Sequence, residues 1–155
     1  MSPGRDWART GAVAAVVLVC DQVTKALVRG GIAQGDHRKV IPGLVTLVHD
    51  QNSGVAFSLL TGSGVGVVLI TLVVLVGLTA FHARHRTRPL MWVVTGMIVG
   101  GALGNLVDRV RTGSVTDFVK LPAWPAFNLA DSAITLGVIA LIVILGFRGA
   151  PARPS

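Results

Sequence analysis

Four apolar stretches constrain the fold of this chain more than any other feature of its sequence. They cover about residues 10–28, 62–81, 90–106 and 129–147. Each is close to the ~20 residues that an α-helix needs to cross about 30 Å of hydrocarbon. Because 52% of the residues are hydrophobic and only 14% are charged, we expect one integral membrane domain over residues 1–155, with four transmembrane helices and two longer connections, about 29–61 and 107–128.

Lysine and arginine residues indicate the orientation of this domain in the membrane. Arg84, Arg86 and Arg88 crowd one short loop, and Arg5 and Arg9 precede the first span. The positive-inside rule therefore predicts that both termini and this loop are cytoplasmic and that the two longer connections are outside. The net charge of +7 is explained by basic flanks that meet anionic lipid, so membrane lipid and not nucleic acid is the expected partner.

Two aspartates border the membrane segments and are candidates for catalysis. Asp117 lies in the second long connection, and Asp131 opens the fourth span. Ionisable residues tied to membrane segments are costly, and two close carboxylates can share a proton and activate water. Asp131 has a structural alternative, because it follows Asn128 in the pattern of a capping box. Asp117 has no such alternative, and with Pro122 and Pro125 after it we expect an irregular connection there.

Three other charged residues have structural explanations. Asp21 and Lys25 are four residues apart in the first span, so they place opposite charges on one helical face and are predicted to form a membrane-buried ion pair. Asp108 stands near the end of the third span, where the helix dipole disfavours an acid, and the adjacent Arg109 is its predicted partner. The alternative, which the sequence leaves open, is that these residues take part directly in a reaction.

The third span carries glycines at intervals of four residues, Gly96, Gly100 and Gly104. Such a stripe lets another helix approach closely. On an adjacent face, Asn105 and Asp108 project together near the outer end of the span. We therefore expect tight helix packing on one face and a polar group on the other.

A small sheet is predicted in the first long connection. Residues 44–48 and 54–58 have strand character, and residues 50–54 have the composition of a turn between them. Asn52 either shapes this turn or presents its amide to a bound peptide backbone, and the sequence leaves both interpretations open.

Two other kinds of site are less well supported. The chain has four histidines, and none accompanies the acids at a metal-ligand spacing, so neither a metal nor a cofactor is expected; they are His37, His49, His82 and His85. A small ion- or proton-coupled transporter would also place Asp and Asn in the membrane. Four spans without an internal repeat argue against that alternative.

Five blocks of the sequence, in this order, resemble those of lipoprotein signal peptidase, the signal peptidase II family of bacterial membrane aspartyl proteases. They are DQVTK (21–25), NSGVAF (52–57), GGALGNLVDR (100–109), VTDF (115–118) and FNLADS (127–132). The resemblance spans nearly the whole chain. It implies a membrane all-α fold with four transmembrane helices and a small extracytoplasmic β-sheet cradle, located in the bacterial inner membrane.

The resemblance also implies an activity and a set of site residues. The activity is removal of the signal peptide from prolipoproteins by cleavage before the diacylglyceryl-modified cysteine, near the outer face, without a cofactor or an obligate protein partner. By position, Asp117 and Asp131 match the catalytic aspartates. The family's supporting positions are matched by Asn52, Asn105, Arg109, Asn128 and Ala130. The sequence departs from the family pattern at Ser53 and Val55, and its connection between the two aspartates is shorter than is usual in the family.

Overall fold

The computed structural model describes residues 3–54 and 64–146. These residues form seven elements in the order α1 (Pro3–Gly31), β1 (His37–Ile41), β2 (Val45–Asn52), α2 (Gly64–His85), α3 (Met91–Thr112), β3 (Val115–Lys120) and α4 (Leu129–Gly146). All four of these helices are long and apolar enough to cross a membrane. The prediction of four transmembrane helices is therefore confirmed.

Helix α3 lies at the centre of the bundle and packs against α1, α2 and α4. In its most apolar window 56% of the residues are buried inside the protein, compared with 11–17% in the other three helices, and its mean hydropathy of 1.4 is the lowest of the four. A helix that its neighbours shield from lipid can carry polar side chains that pair inside the protein. This explains why Asn105 and Asp108 lie on α3.

The predicted glycine stripe is the surface through which α3 meets α1. A Cβ atom added to Gly100 would lie 2.6 Å from the carbonyl oxygen of Ala14, and one added to Gly96 would lie 2.7 Å from Val13. On the neighbouring face, a Cβ atom at Gly101 would lie 2.5 Å from a backbone oxygen of α4. Only glycine leaves room for such close helix contacts, so these positions fix the distances between α3 and its neighbours.

The three strands form one antiparallel sheet in the order β1-β2-β3. The strand predicted at residues 44–48 is confirmed as part of β2, whereas most of the one predicted at 54–58 lies outside the described residues. The turn predicted at residues 50–54 is wrong in its first half. Asp50 and Gln51 continue β2, because their backbone pairs with Asp117 and Thr116 of β3.

Asp117 lies in a strand, so the prediction of an irregular connection at this residue is wrong. The β-branched and aromatic residues around it favour a strand, and Pro122 comes only after β3 has ended. Beyond the prolines the chain folds back, and the backbone N–H of Phe127 donates to the carbonyl oxygen of Val119 at 3.0 Å. This return places Asn128 and the start of α4 beside β3.

Candidate active site

Asn128 connects the two candidate aspartates. Its Nδ2 donates to Asp117 Oδ1 at 2.7 Å. Its Oδ1 accepts from the backbone N–H of Asp131 at 2.9 Å, and its own backbone N–H donates to Asp131 Oδ2 at 3.2 Å. The reciprocal bonds are the predicted capping box, so the start of α4 and the placement of both carboxylates depend on the same buried residue.

Asn105 holds Asp131 from the side of α3. Its Nδ2 donates to Asp131 Oδ1 at 2.8 Å, while its Oδ1 accepts from Lys25 Nζ at 2.9 Å and from Asn128 Nδ2 at 3.2 Å. A lysine ammonium has donors and no acceptor. Lys25 therefore fixes which end of the Asn105 amide faces Asp131.

Asn52 shapes the turn, which is one of the two roles that the sequence left open for it, and its amide also contacts Asp117. Its Oδ1 accepts from the backbone N–H of Gly54 at 2.9 Å, and Gly54 has the positive φ of 69° that such a tight turn requires. Its Nδ2 donates to Asp117 Oδ2 at 3.0 Å. The end of β2 thus presents an amide to the carboxylate on β3.

The Asp117 carboxyl is buried, with 3% of the residue exposed. Burial raises its pKa, and the nearby charge of Asp131 raises it further, whereas the amide donors of Asn52 and Asn128 and the charge of Lys25 lower it. The net shift is upward. The protonated form of Asp117 is therefore favoured relative to an exposed aspartate.

A second polar cluster lies directly behind this pair. Lys25 Nζ is 2.8 Å from Asp21 Oδ2 and 2.9 Å from Asp108 Oδ2, and its third contact is Asn105. Lys25 and Asp21 are completely buried. The ion pair predicted between them is present, and the three donors of the ammonium have three acceptors.

Asp108 does not pair with Arg109, so that predicted partnership is wrong. Neighbouring residues of a helix point to different faces. Asp108 instead has two residues of α1, Lys25 and Arg29, within 4 Å. The backbone N–H of Thr116 also donates to Asp108 Oδ2 at 3.2 Å. Arg29 and Thr116 were not among the predicted site residues, although Arg29 continues the four-residue spacing of Asp21 and Lys25.

Arg109 instead lies on the side of the candidate aspartates. Its charge lies close enough to interact with those of Asp131 and Asp117 as well as with that of Asp108. Its Nη1 donates to the Asn105 carbonyl oxygen at 3.4 Å, and its Nε is buried without a hydrogen-bond partner within the described part of the chain. This guanidinium therefore has a donor to spare beside the two carboxylates.

Ala130 links the rear cluster to the start of α4. Its backbone N–H donates to Asp21 Oδ1 at 2.9 Å, and its side chain is fully buried. A Cβ atom at Gly104 would lie 2.5 Å from Asp21 Oδ2 and 3.5 Å from the Ala130 methyl group. Small residues are needed at both positions because the carboxylate fits between two helices.

Two mostly apolar cavities flank the site. One of about 390 Å³ is lined by Leu121, Trp124, Phe127 and Asp131, among others. The other, of about 200 Å³, is lined by α2, α3 and α4 and reaches Asn105 and Arg109. Apolar walls with a few polar groups are typical of binding sites for apolar ligands. Over residues 3–54 and 64–146 there is no group of three or more His, Cys, Asp or Glu that could hold a metal ion.

The fold and the site define a class of protein. It is an integral membrane protein of four helices with two carboxyl groups that accept hydrogen bonds from asparagine side chains and are suited to acid–base chemistry. The profile described as Signal peptidase (SPase) II matches residues 13–147. The chain belongs to the signal peptidase II family, as the sequence blocks predicted, and it is a membrane peptidase.

Individual relatives agree with this assignment. The lipoprotein signal peptidase of Syntrophomonas wolfei is 40% identical, over 86% of this chain and 90% of that protein. The enzyme of Staphylococcus aureus (strain MRSA252) is 36% identical, over 86% and 85%. A solved structure of a bacterial membrane enzyme matches with a TM-score of 0.84 at 32% identity, covering 94% of this chain and 93% of that one. None of these findings supports a transporter.

Proposed function

We propose that this signal peptidase II removes signal peptides from prolipoproteins as an aspartic endopeptidase, cleaving before the diacylglyceryl-modified cysteine. Family membership and the relatives named lipoprotein signal peptidase support the substrate class. The observation that carries the aspartic chemistry is the position of Asn128, whose Nδ2 donates to the Asp117 carboxyl group while its backbone N–H donates to that of Asp131. Two carboxyl groups that bond to one residue, and whose charges interact, are arranged to share a proton.

In the proposed mechanism Asp117 is the acid and Asp131 is the base. Burial raises the pKa of Asp117, which favours its holding the shared proton. Asp131 is only partly buried, and it lies in the first turn of α4, where the helix dipole favours a carboxylate. Asp131 takes a proton from water as the water oxygen attacks the scissile carbonyl carbon, and Asp117 gives its proton to the carbonyl oxygen.

The resulting tetrahedral diol collapses with the C–N bond breaking. Asp131 returns its proton to the departing amine, and Asp117 recovers a proton from a diol hydroxyl group, so both aspartates regain their starting forms. No covalent enzyme intermediate is required. The buried Nε of Arg109 is placed to donate to a peptide carbonyl or to a lipid headgroup, and the apolar cavities suit an apolar signal peptide and acyl chains.

Cleavage by the purified full-length protein tests this function. A diacylglyceryl-modified prolipoprotein should be cut before its modified cysteine, and the unmodified precursor should not. A metal chelator should leave the rate unchanged if the two aspartates activate water. Equal cleavage of both precursors would disprove the lipid requirement, and inactivation by the chelator would disprove the aspartic mechanism.

We further propose that the protein lies in the bacterial inner membrane with both termini cytoplasmic and the aspartates near the outer face. The support is the concentration of Arg84, Arg86 and Arg88 in the last turn of α2 and in the loop that follows it. In a Cys20→Ala background, an impermeant thiol reagent added to intact cells should label Gln34→Cys but not Thr87→Cys. Labelling of position 87 from outside would show that the protein has the opposite orientation in the membrane.

A further inference from the structure

A polar cavity lies at the end of the bundle away from the aspartates. Its volume is about 350 Å³, and it lies between the start of α1, the loop after α2 and the start of α3. The residues that line it include Asp6, Arg9, Arg86, Thr87, Arg88 and Trp92. Trp92 and Asn105 are separated by roughly 20 Å along α3, at 1.5 Å per residue, so this cavity is not part of the peptidase site.

The excess of positive charge in the lining of the cavity favours a bound anion. Three arginines line it against one aspartate, Asp6. The Nη1 atom of Arg88 is buried and has no hydrogen-bond partner among residues 3–54 and 64–146. A buried donor without an acceptor is costly. An anionic oxygen bound in the cavity would supply the missing acceptor.

The N-terminus of α3 adds to this positive potential. Leu90 occupies the cap position in the left-handed conformation, with φ 58°, and makes no side-chain capping bond to the first N–H groups of the helix. Leu90 and Trp92 both line the cavity. The N–H groups of Met91 and Val93 already donate to the carbonyl oxygens of Arg88 and Leu90. The dipole of the helix still favours an anion such as phosphate at this end. The guanidinium of Arg9 lies 5.6 Å from the centre of the Trp92 ring, which orients this arginine at the cavity wall.

We propose that this cavity binds the phosphate group of an anionic phospholipid. Arginine forms paired hydrogen bonds to phosphate oxygens, and basic pockets between transmembrane helices are suited to anionic headgroups. A nearby apolar groove of about 550 Å³ favours a lipid over free phosphate. Its lining includes Trp7 and Ala83, which are close in sequence to Asp6 and Arg86, and residues of α2 and α3. This groove can receive an acyl chain of the same lipid.

Native mass spectrometry of the full-length protein tests the site. Equal amounts of phosphatidylglycerol and phosphatidylcholine are added, and the retained lipid is counted on the monomer. The parent should retain about tenfold more phosphatidylglycerol than phosphatidylcholine, or an even larger excess. The Arg86→Gln/Arg88→Gln variant should lose this preference. Arg84→Gln is the matched control, since it removes the same charge from an exposed position in the last turn of α2 that does not line the cavity, and it should behave as the parent.

Three outcomes would overturn the proposal. They are an absence of preference in the parent, an equal loss in Arg84→Gln, and full retention in the double variant. Inorganic phosphate that displaced phosphatidylglycerol at equal concentration would show that the cavity takes free phosphate instead of a lipid headgroup. Circular dichroism establishes folding, and if the double variant does not fold, the single Arg86→Gln variant decides by the same measurement. The experiment requires neither peptidase activity nor the membrane topology proposed above.

Discussion

Two pairs of aspartates lie at one end of the bundle, and the protein holds them in opposite ways. Asp21 and Asp108 share the buried ammonium of Lys25 at 2.8 and 2.9 Å. Asp117 and Asp131 accept hydrogen bonds from neutral groups, including the amides of Asn52, Asn105 and Asn128. Of these four aspartates, Asp21 and Asp108 are the two with a cation within 4 Å among the described residues.

This difference separates a structural role from a chemical one. Removing the charge of a carboxylate that is paired with a buried cation is costly, because the cation is left without its partner. A carboxyl group held by amides can gain or lose a proton at smaller cost, because no partner charge is exposed by the change. Asn105 bonds to Lys25 and to Asp131, so the rigid pair positions the reactive one.

The largest effect should come from removing a proton-transferring group without changing its shape. Asp117→Asn and Asp131→Asn should each reduce kcat on lipid-modified prolipoprotein by about 10³-fold or more, since the acid–base chemistry is lost. Thermal stability of Asp117→Asn should stay close to that of the parent, because the neutral amide avoids the burial penalty that raises the pKa of Asp117 but turns an NH2 group toward one of the two amide donors of Asn52 and Asn128. Single-turnover kinetics and thermal unfolding in detergent measure the two quantities.

The matched control is Asp36→Asn, an exposed aspartate at the start of the first connection, which should have parental activity. Asp108→Asn should chiefly reduce folding or protein level. Parental turnover in folded Asp117→Asn, or a folded, substrate-binding and inert Asp108→Asn, would show that the two pairs have been given the wrong roles.

Removing Lys25 should affect stability more than any change to the candidate catalytic pair. Lys25→Met leaves the carboxylates of Asp21 and Asp108 buried without their shared cation, at a cost of about 3–5 kcal/mol. Thermal unfolding and membrane protein level should both fall. Adding Asp21→Asn to Lys25→Met should recover part of the loss, since one uncompensated charge is removed.

The opposite result is also informative. If Asp21→Asn alone kept parental thermal stability and protein level but abolished turnover, Asp21 would belong to the catalytic machinery. The distinction between a rigid and a reactive pair would then fail.

The sequence predicted the helices better than the contacts that join them. Hydropathy finds the apolar part of a helix, so the predicted spans are shorter than α1 and α3, whose polar ends continue beyond the apolar stretch. The stretch predicted at residues 10–28 corresponds to helix Pro3–Gly31, and the one predicted at 90–106 corresponds to helix Met91–Thr112. Strand β3 was missed, since the prolines after it dominated the interpretation of the segment.

Local spacing predicted those site contacts that lie within one helix turn. The Asp21–Lys25 pair and the capping box at Asn128 are of this kind. Contacts between elements carry no such signal, so the pairing of Asp108 with Lys25 and the bond from Asn52 to Asp117 could not be predicted from spacing. The resemblance to a family named the supporting residues but not what each one touches.

Asn105 should show an intermediate effect, because it belongs to both groups. Asn105→Ala removes the donor to Asp131, and loss of a hydrogen bond to a charged group should lower kcat by about 10- to 100-fold. Asn105→Asp keeps an acceptor for Lys25 but turns a carboxylate oxygen toward Asp131, so it should stay folded and lose more activity than the alanine variant. Parental kcat in folded Asn105→Ala would show that Asp131 does not depend on this amide.

The smallest effect concerns pH and assigns the proton within the pair. Because its pKa is raised, Asp117 stabilises the fold fully below the ordinary carboxyl pKa, and this contribution is lost as pH rises through the raised value. The Asn52 amide lowers the pKa of Asp117, so Asn52→Ala should raise it further. If Asp117 is the acid, the alkaline limb of the kcat/KM profile should move to higher pH, while Ser53→Ala, an exposed neighbour in the same turn, should leave it in place. A shift of the acidic limb instead would make Asp117 the base, and the proposed roles of the two aspartates would have to be exchanged.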